Sequence, residues 1–568
     1  MALEIKSFPT DYSKAFSEID LNNPYVHTNQ GLFELDSQTF NGRAYVYMPS
    51  NLECSAWSVT LLVPKNSDLL SFFTSSGWKD LADERRFLVF LAEAPKDGWN
   101  ADPYTLDFLK NLDAAVDDKT HYDAQRFCAY LVGYEDGACV ALQYALYKPA
   151  AYAGLGLLFQ AESAANNIAT LLKQAELSTP TSTTKLPLFI ETDQLLKPTE
   201  SIVSHFIKRN QTSPDPLHGT DGIIRYIASQ KDHHNSVNEQ PVSHIAIKTS
   251  SKKGSFINSA SARIAWNELR RAIRTSGIGD GYLHPYRTLS DWHITKHETT
   301  IDSVLRHWYE YIPQQTTSRE EKRPLVIFLH GGSQTGQTCI YATEWMNVAE
   351  ERNFIFAAPT GTMRNFGSSG APHPAWNACG SHELFNDEAF IKTMIADICS
   401  RNNIDRSRIY IAGHSMGSAM AQRCALAMPE LFAAVASNSG VVVGGFMGDF
   451  DSPGVKEDIA MPAIWIQMGE HDVGGGTLES NHNAERTVRY WIKRGDLDSF
   501  DDARTVTCGR YRTKTWQTKK GTPLLSFTTT LDKPHAITPE DAWLYYDSFF
   551  CKFSRDETGS LNYLGKPV

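Results

Sequence analysis

The chain lacks any run of about eighteen apolar residues, the length a helix needs to cross a bilayer, so no membrane span is predicted. Its start, MALEIKSFPTDYSKAFSEID, lacks a basic segment followed by an apolar one and does not read as a secretory leader. Cysteine is sparse. The nine residues form no closely spaced pairs, which fits reduced thiols and a cytoplasmic location better than a disulfide framework. There is no block of lysine and arginine, and the formal charge is -11, so neither nucleic acid nor an anionic membrane is expected as a partner. Metal-ligand spacing is also missing: His233 and His234 stand in a polar stretch, Asp232 to Gln240, that reads as a surface loop. No metal or cofactor is expected.

What is present is enough for several cores. An apolar fraction of 42% over 568 residues, with 11% aromatics, predicts two or more domains. The chain also repeats itself. LVGYEDGACVALQYALYKP (Leu131 to Pro149) faces YIAGHSMGSAMAQRCALAMP (Tyr410 to Pro429), with both glycines of the turn and the closing proline in register. WKDLADERRF at Trp78 faces WMNVAEERNF at Trp345, RAYVYMP at Arg43 faces RHWYEYIP at Arg306, and VTLLVPKNS at Val59 faces VIFLHGGS at Val326. WNA at Trp99 and Trp376, HFIKRN with YWIKRG, and IAWNELRRAI with DAWLYYDSFF follow in the same order. Seven collinear matches predict a tandem duplication of a whole domain, since the period is far beyond that of a solenoid. The expected division is an N-terminal extension over 1–34, a first domain over 35–275, a linker over 276–300 and a second domain over 301–568.

Each copy alternates short Val/Ile/Leu/Phe-rich runs with longer helical patterns, the mark of parallel strands joined by crossover helices. The fold class expected is α/β, two tandem domains with mostly parallel sheets flanked by helices.

The second copy carries the residues of nucleophilic catalysis. GHSMG follows the strand pattern IYIAG and opens a helix, so Ser415 would project from a sharp strand-to-helix turn. A serine hydroxyl needs a histidine to take its proton, and that imidazole needs a carboxylate. In chain order the acid is expected after a later strand, where PAIWIQMGEHD ends with Asp472 (Glu470 is the fallback). The base is expected before the last helix, at His535, with Thr538, Pro539 and Asp541 starting that helix. The oxyanion donors expected are the amides of Met416, next to the nucleophile, and Gly332 in HGGSQ, with Ser333 less favoured. His414, Trp376 and Ser333 are candidate pocket residues. His471 and His382 lie near the motifs, but a surface or structural role is favoured for each.

With these motifs assembled, the second copy resembles the polyhydroxybutyrate depolymerase and feruloyl esterase group of α/β-hydrolases. The residues that carry the resemblance are HGGSQ at His330, the Trp345 helix ending in NFIFAAP, WNA at Trp376, NDEAFIKTMI at Asn386, NNIDRSRIYIAGHSMGSAMA and the GEHD and His535 loops. It implies a serine esterase without cofactor, acting on hydroxyalkanoate oligomers, hydroxycinnamate esters or related bulky esters, small or oligomeric. Amide or depsipeptide cleavage by the same triad, and a non-catalytic scaffold, are the other readings carried.

In the first copy Glu135 replaces Ser415, Asp136 replaces Met416, PKNS at Pro64 replaces HGGS and Asn258 replaces His535. It reads as a degenerate, catalytically dead copy. Glu135 is expected to cap its helix. The copy is expected to stabilise the second, to pair two chains as a homodimer, or to roof the Ser415 pocket through residues 211–258. Only about twenty residues separate Gly440 from Pro462, too few for a separate lid.

Overall fold

The computed structural model describes residues 3–568 except 37–41, 101–102, 162–183, 229–239, 251–255, 276–280, 315–320, 365–369, 381–384 and 445–446. His233, His234 and His382, and most of the polar stretch from Ser178 to Lys185, therefore fall outside the described residues.

The buried apolar runs become strands because a segment flanked by helices on both sides must be apolar on both faces. In the first half, Ala124–Tyr134 shows this: Ala129 and Leu131 enter one apolar cluster, while Tyr130, Val132 and Tyr134 enter another on the opposite face. The first sheet has eleven strands, in spatial order Ile5–Lys6, Gly31–Glu34, Ala44–Met48, Leu88–Ala92, Ala56–Leu62, Ala124–Tyr134, Gly154–Phe159, Leu188–Thr192, Ile245–Thr249, Ile223–Tyr226 and Leu217–His218. The second has ten: Thr295–Ile301, Val304–Tyr311, Ile355–Pro359, Arg323–Leu329, Ile404–His414, Ala434–Asn438, Ala463–His471, Pro523–Pro534, Tyr511–Gln517 and Arg504–Cys508.

Apart from the short first strand, the two orders coincide strand for strand, including the swap of the third and fourth members. In both, the central pairings are parallel and the outer ones antiparallel. This is the α/β class expected, with mostly parallel sheets flanked by helices.

The edges differ from the sequence division. The first sheet already takes in residues 5–6 and 31–34, and the second begins at Thr295. Thr295–Ile301, TKHETTI, alternates exposed and half-buried residues and has no apolar run, so it carries little strand signal. Part of the expected linker is a hairpin, Ala272–Thr275 paired with Tyr282–Pro285.

Side-chain contacts repeat along with the strands. Trp99 Nε1 donates to Val63 O at 2.7 Å, and Trp376 Nε1 donates to His330 O at 2.8 Å. The Tyr47 hydroxyl donates to Asp83, and the Tyr311 hydroxyl to Glu350, each at 2.6 Å. These anchors correct two pairings read from sequence. Val63, not Pro64, occupies the place of His330, so Lys65 matches Gly332 and Asn66 matches Ser333; both of the latter have positive φ, 62° and 59°. Phe87 stacks on Trp266 as Phe354 stacks on Tyr546. Asn258 therefore falls at the place of Thr538, not of His535. Its side chain caps a helix by accepting from Ser261 N.

Candidate active site

Ile404–His414 runs into Ser415, and the helix Met416–Ala427 starts one residue later. Ser415 has φ 52° and ψ -116°, a conformation that costs a non-glycine residue on the order of 1–3 kcal/mol. The flanking glycines let the turn pack. A Cβ on Gly417 would stand 2.2 Å from Leu329 O, and one on Gly413 2.2 Å from Gly417 O. The helix thus sits directly on the end of the strand Arg323–Leu329, with Ser415 half-exposed above it.

Three separated loops converge on that serine. His535 Nε2 lies 3.0 Å from Ser415 Oγ, and His535 Nδ1 lies 2.6 Å from Asp472 Oδ1. Asp472 is buried, and its carboxylate also accepts the Val473 amide at 2.9 Å and the Gly469 amide at 3.1 Å. Burial pushes the Asp472 carboxyl up, but the His535 ring and the Gly469 amide outweigh it and hold the group below the usual carboxylate range. Glu470, the fallback acid, is exposed and accepts the Asp532 amide instead. Glu470, His471 and Asp532 each bring a ligand-type atom within 4.8 Å of the others, but all three are exposed, as solvated groups on such a loop commonly are.

The amide next to the serine, Met416 N–H, is the first of its helix and faces outward from the helical ladder. Gly332 lies against the Met416 side chain; a Cβ there would meet its Cε at 3.4 Å. Ser333 is ruled out as the second donor, because its N–H donates to Pro374 O at 2.9 Å. Trp376 is not a pocket residue. It is fully buried, its indole donates into the His330 carbonyl, and its counterpart Trp99 does the same in the first half. His414 is buried too. Both its ring nitrogens lack a hydrogen-bond partner among the described residues, and its ring lies 5.1 Å from that of His535. Burial, with the neighbouring His535 and Lys533, holds His414 far below the ordinary histidine range, so it is neutral.

Beneath the three loops lies a polar network that sequence reasoning missed. Lys533 is completely buried; its Nζ donates to Asn438 Oδ1 at 2.8 Å and to Asp541 Oδ2 at 3.2 Å. Asp541 further accepts from Asn438 Nδ2 at 2.7 Å, Gln467 Nε2 at 2.9 Å and the Thr538 amide at 3.0 Å. The Asn438 carbonyl in turn accepts the Ser415 amide at 2.8 Å. Asp541 was expected only as a helix-start acid. The sequence signal available was a lysine inside an otherwise Thr- and Leu-rich strand, two residues before His535.

The two halves also touch near this site. Ala371 N donates to Thr120 O at 2.7 Å, His373 contacts Lys119 O, and Thr338 Oγ1 lies 3.2 Å from Ser55 Oγ. These joining contacts come from residues 55, 119 and 120 rather than from the 211–258 segment, where the roof was expected; 229–239 and 251–255 of that segment lie outside the described residues.

Residues 308–452 match the family model of esterase PHB depolymerase, a stretch that holds Gly332 and Ser415 and ends before Asp472 and His535. Feruloyl esterase B of Neurospora crassa is 30% identical over 140 residues, 25% of this chain and 46% of that protein. Poly(3-hydroxyalkanoate) depolymerase C of Paucimonas lemoignei is 27% identical over 240 residues, 38% of this chain and 56% of that one. The chain thus spans about half the length of these curated relatives. An acetyl xylan esterase structure from Aspergillus awamori aligns over 45% of this chain and 99% of its own, at 19% identity and a TM-score of 0.35. The fold assignment rests on the strand order, not on that alignment.

Outside residues 308–452, the first half has the same turn with Glu135 in the place of Ser415. Glu135 has φ 47° and ψ -116°, close to Ser415, and its amide donates to Leu158 O at 2.8 Å as that of Ser415 does to Asn438 O. Its carboxylate does not cap the following helix, contrary to expectation; the steep turn carries it to the Gln160 amide, 3.2 Å away. Asp136 takes the more telling position. Its carboxylate accepts the amides of Lys65, the counterpart of Gly332, and Trp99, both at 3.0 Å.

Proposed function

We propose that the chain is a serine carboxylic-ester hydrolase whose reaction is carried by the second half. Ser415 attacks the ester carbonyl as His535 Nε2 takes its proton, and Asp472 holds the imidazole in the right tautomer and balances its positive charge. The amides of Met416 and Gly332 receive the oxyanion. His535 then protonates the leaving alcohol, and a water activated by the same ring releases the acid from the acyl-enzyme. The observation that carries this reading is the continuous chain from Ser415 Oγ through His535 to Asp472, at 3.0 and 2.6 Å, on a strained elbow. Hydroxyalkanoate oligomers, hydroxycinnamate esters and other bulky esters are the substrates proposed, in keeping with the relatives' names.

The first half is proposed to be a duplicated copy without catalysis, on the shared strand order, the repeated tryptophan and tyrosine contacts and the loss of a serine at the elbow.

The test is product release from p-nitrophenyl acyl esters, methyl hydroxycinnamates, hydroxybutyrate oligomers and a depsipeptide, with Ser415→Ala beside the wild type. Turnover of an ester class that disappears in the variant supports the proposal. Turnover confined to the depsipeptide, with the cleaved bond identified by mass spectrometry as an amide, would move it to amide-type chemistry, and activity that survives in Ser415→Ala would reject the triad.

A further inference from the structure

A cavity of about 500 Å³ opens where the two halves meet, a volume in the range of small-molecule sites. Its walls come from the first half (Trp57, Gln125, Trp266, Arg270), from the connecting segment (Tyr286) and from the second half (Tyr341). Neither half forms it alone.

The chemistry of the lining is lopsided. Trp57, Tyr286, Trp266 and Tyr341 supply an aromatic wall, with Trp57 and Tyr286 edge to face at 4.5 Å and Tyr286 and Tyr341 at 5.7 Å. Among the polar side chains set in that wall are hydrogen-bond donors without an acceptor. Trp266 Nε1 and Gln125 Nε2 are buried and have no partner among the described residues. An indole N–H can only donate, and a buried donor left unpaired is costly. Arg270 adds a half-buried guanidinium. Arg85 and Arg86 stand at the exposed margin, the first paired with Glu84 and the second donating to Ser50 O, with Glu53 as the opposing charge.

We propose that this cavity binds an aromatic carboxylate, its ring against the aromatic wall and its carboxylate on the Arg270 guanidinium, with Trp266 Nε1 and Gln125 Nε2, closed off from solvent in this wall, turning to donate to it as the ligand enters. A planar anion with acceptor-only oxygens is the ligand class that offers acceptors to all three donors. A neutral aromatic leaves the guanidinium unanswered, and an aliphatic anion leaves the rings without a partner. The site is separate from Ser415: neither Ser415, Asp472 nor His535 lines it, and the second half contributes Thr335, Gln337, Thr338 and Tyr341, from the N-cap and body of the helix Gly336–Ala342 that follows the Gly332 loop.

The test uses the full chain, with its serine blocked by a phosphonate, and titration calorimetry with benzoate and trans-cinnamate beside benzyl alcohol and cyclohexanecarboxylate. The expected result is saturable binding of the aromatic acids to the blocked protein, at least tenfold weaker for the alcohol and the alicyclic acid. Arg270→Met is expected to weaken benzoate at least tenfold, and Trp266→Phe, which keeps a ring but removes the N–H, several-fold; thermal melts confirm that each variant is folded. Absence of saturable binding at millimolar ligand overturns the proposal. So does binding that both variants leave unchanged, or binding that the phosphonate abolishes, which would put the ligand at Ser415.

Discussion

Replacing Lys533 by methionine removes a charge from the centre of the buried network while nearly preserving side-chain length. The ammonium has no solvent exposure and two partners, Asn438 Oδ1 and Asp541 Oδ2. Its loss strands a buried carboxylate, a change that costs about 3–5 kcal/mol when one member of a buried pair is removed. Asp541 keeps three other donors, from Asn438, Gln467 and the Thr538 amide, so the lower end of that range is expected. For a domain of this size the melting transition should fall by about 6–12 °C. The second substitution decides the mechanism. Asp541→Asn discharges the partner, and the double variant should be less destabilised than the two single effects combined, by about 1–3 kcal/mol in a thermodynamic cycle. Because the network joins the strand below Ser415 to the loop of His535, kcat on the best ester should also fall on the order of 10–100-fold with little change in KM. Circular dichroism melts and initial rates on the four proteins measure all of this. A melting point for Lys533→Met within 2 °C of wild type, roughly 1 kcal/mol or less, or strict additivity in the cycle, would refute the idea that the ion pair ties the loops together.

Three further outcomes follow from the geometry. Asp472→Asn should lower kcat by about 10⁴-fold, as loss of the orienting carboxylate does in such triads. Since the Asp472 carboxyl is held low, its stabilising contribution is present above the ordinary aspartate range and is lost as pH falls through its folded value; melts of wild type and variant should converge as pH falls below the ordinary aspartate range. Glu135 has the opposite sign. Burial chiefly, with the nearby Asp136 and Asp193, raises its carboxyl, so the charged form costs stability as pH rises. Glu135→Gln should melt on the order of 1–3 °C higher than wild type at pH 8 and equal to it at pH 4, a small gap because solvent screens the group. Asp136→Ala, which leaves the Lys65 and Trp99 amides without an acceptor, should destabilise the first half by about 1–3 kcal/mol while leaving ester turnover intact.

The triad was legible in the sequence because its geometry follows from topology. In a parallel sheet, loops at the carboxyl ends of the strands gather on one side, so the order Ser415, Asp472, His535 predicts their meeting. What failed depended on contacts that no linear pattern displays. Trp376 carries the same WNA signal whether it lines a pocket or packs on a carbonyl, and burial decides for the second. The one-residue slip between the HGGS and PKNS loops arose because Pro64 offers no residue identity to hold the register, whereas the Trp99 and Trp376 indoles do. Gly332 and Ser333 could be separated as oxyanion donors only by the hydrogen bond from Ser333 to Pro374, more than forty positions along the chain.

The strained elbow of the first half raises a question that its own contacts answer. A residue at φ 47° and ψ -116° without a nucleophile to present gains nothing from that conformation. The strain is held by the neighbour. Asp136 places a carboxylate on the amides of Lys65 and Trp99, and hydrogen bonds to a charged group are worth about 1.5–3 kcal/mol each, enough to offset a bend of this kind. The carboxylate therefore sits on the counterpart of the Gly332 amide, the group that in the proposed mechanism would receive the oxyanion. Restoring a serine alone should not restore reactivity there. The variant Glu135→Ser, combined with Ser415→Ala to silence the second half, is expected to remain unlabelled by a fluorophosphonate, because the Lys65 amide, one of the two that would stabilise the adduct, already holds Asp136. Stoichiometric labelling of that double variant, mapped to the substituted elbow position by peptide mass spectrometry, would show that the amide site opens freely, and the account of the elbow as locked by its neighbouring aspartate would fall.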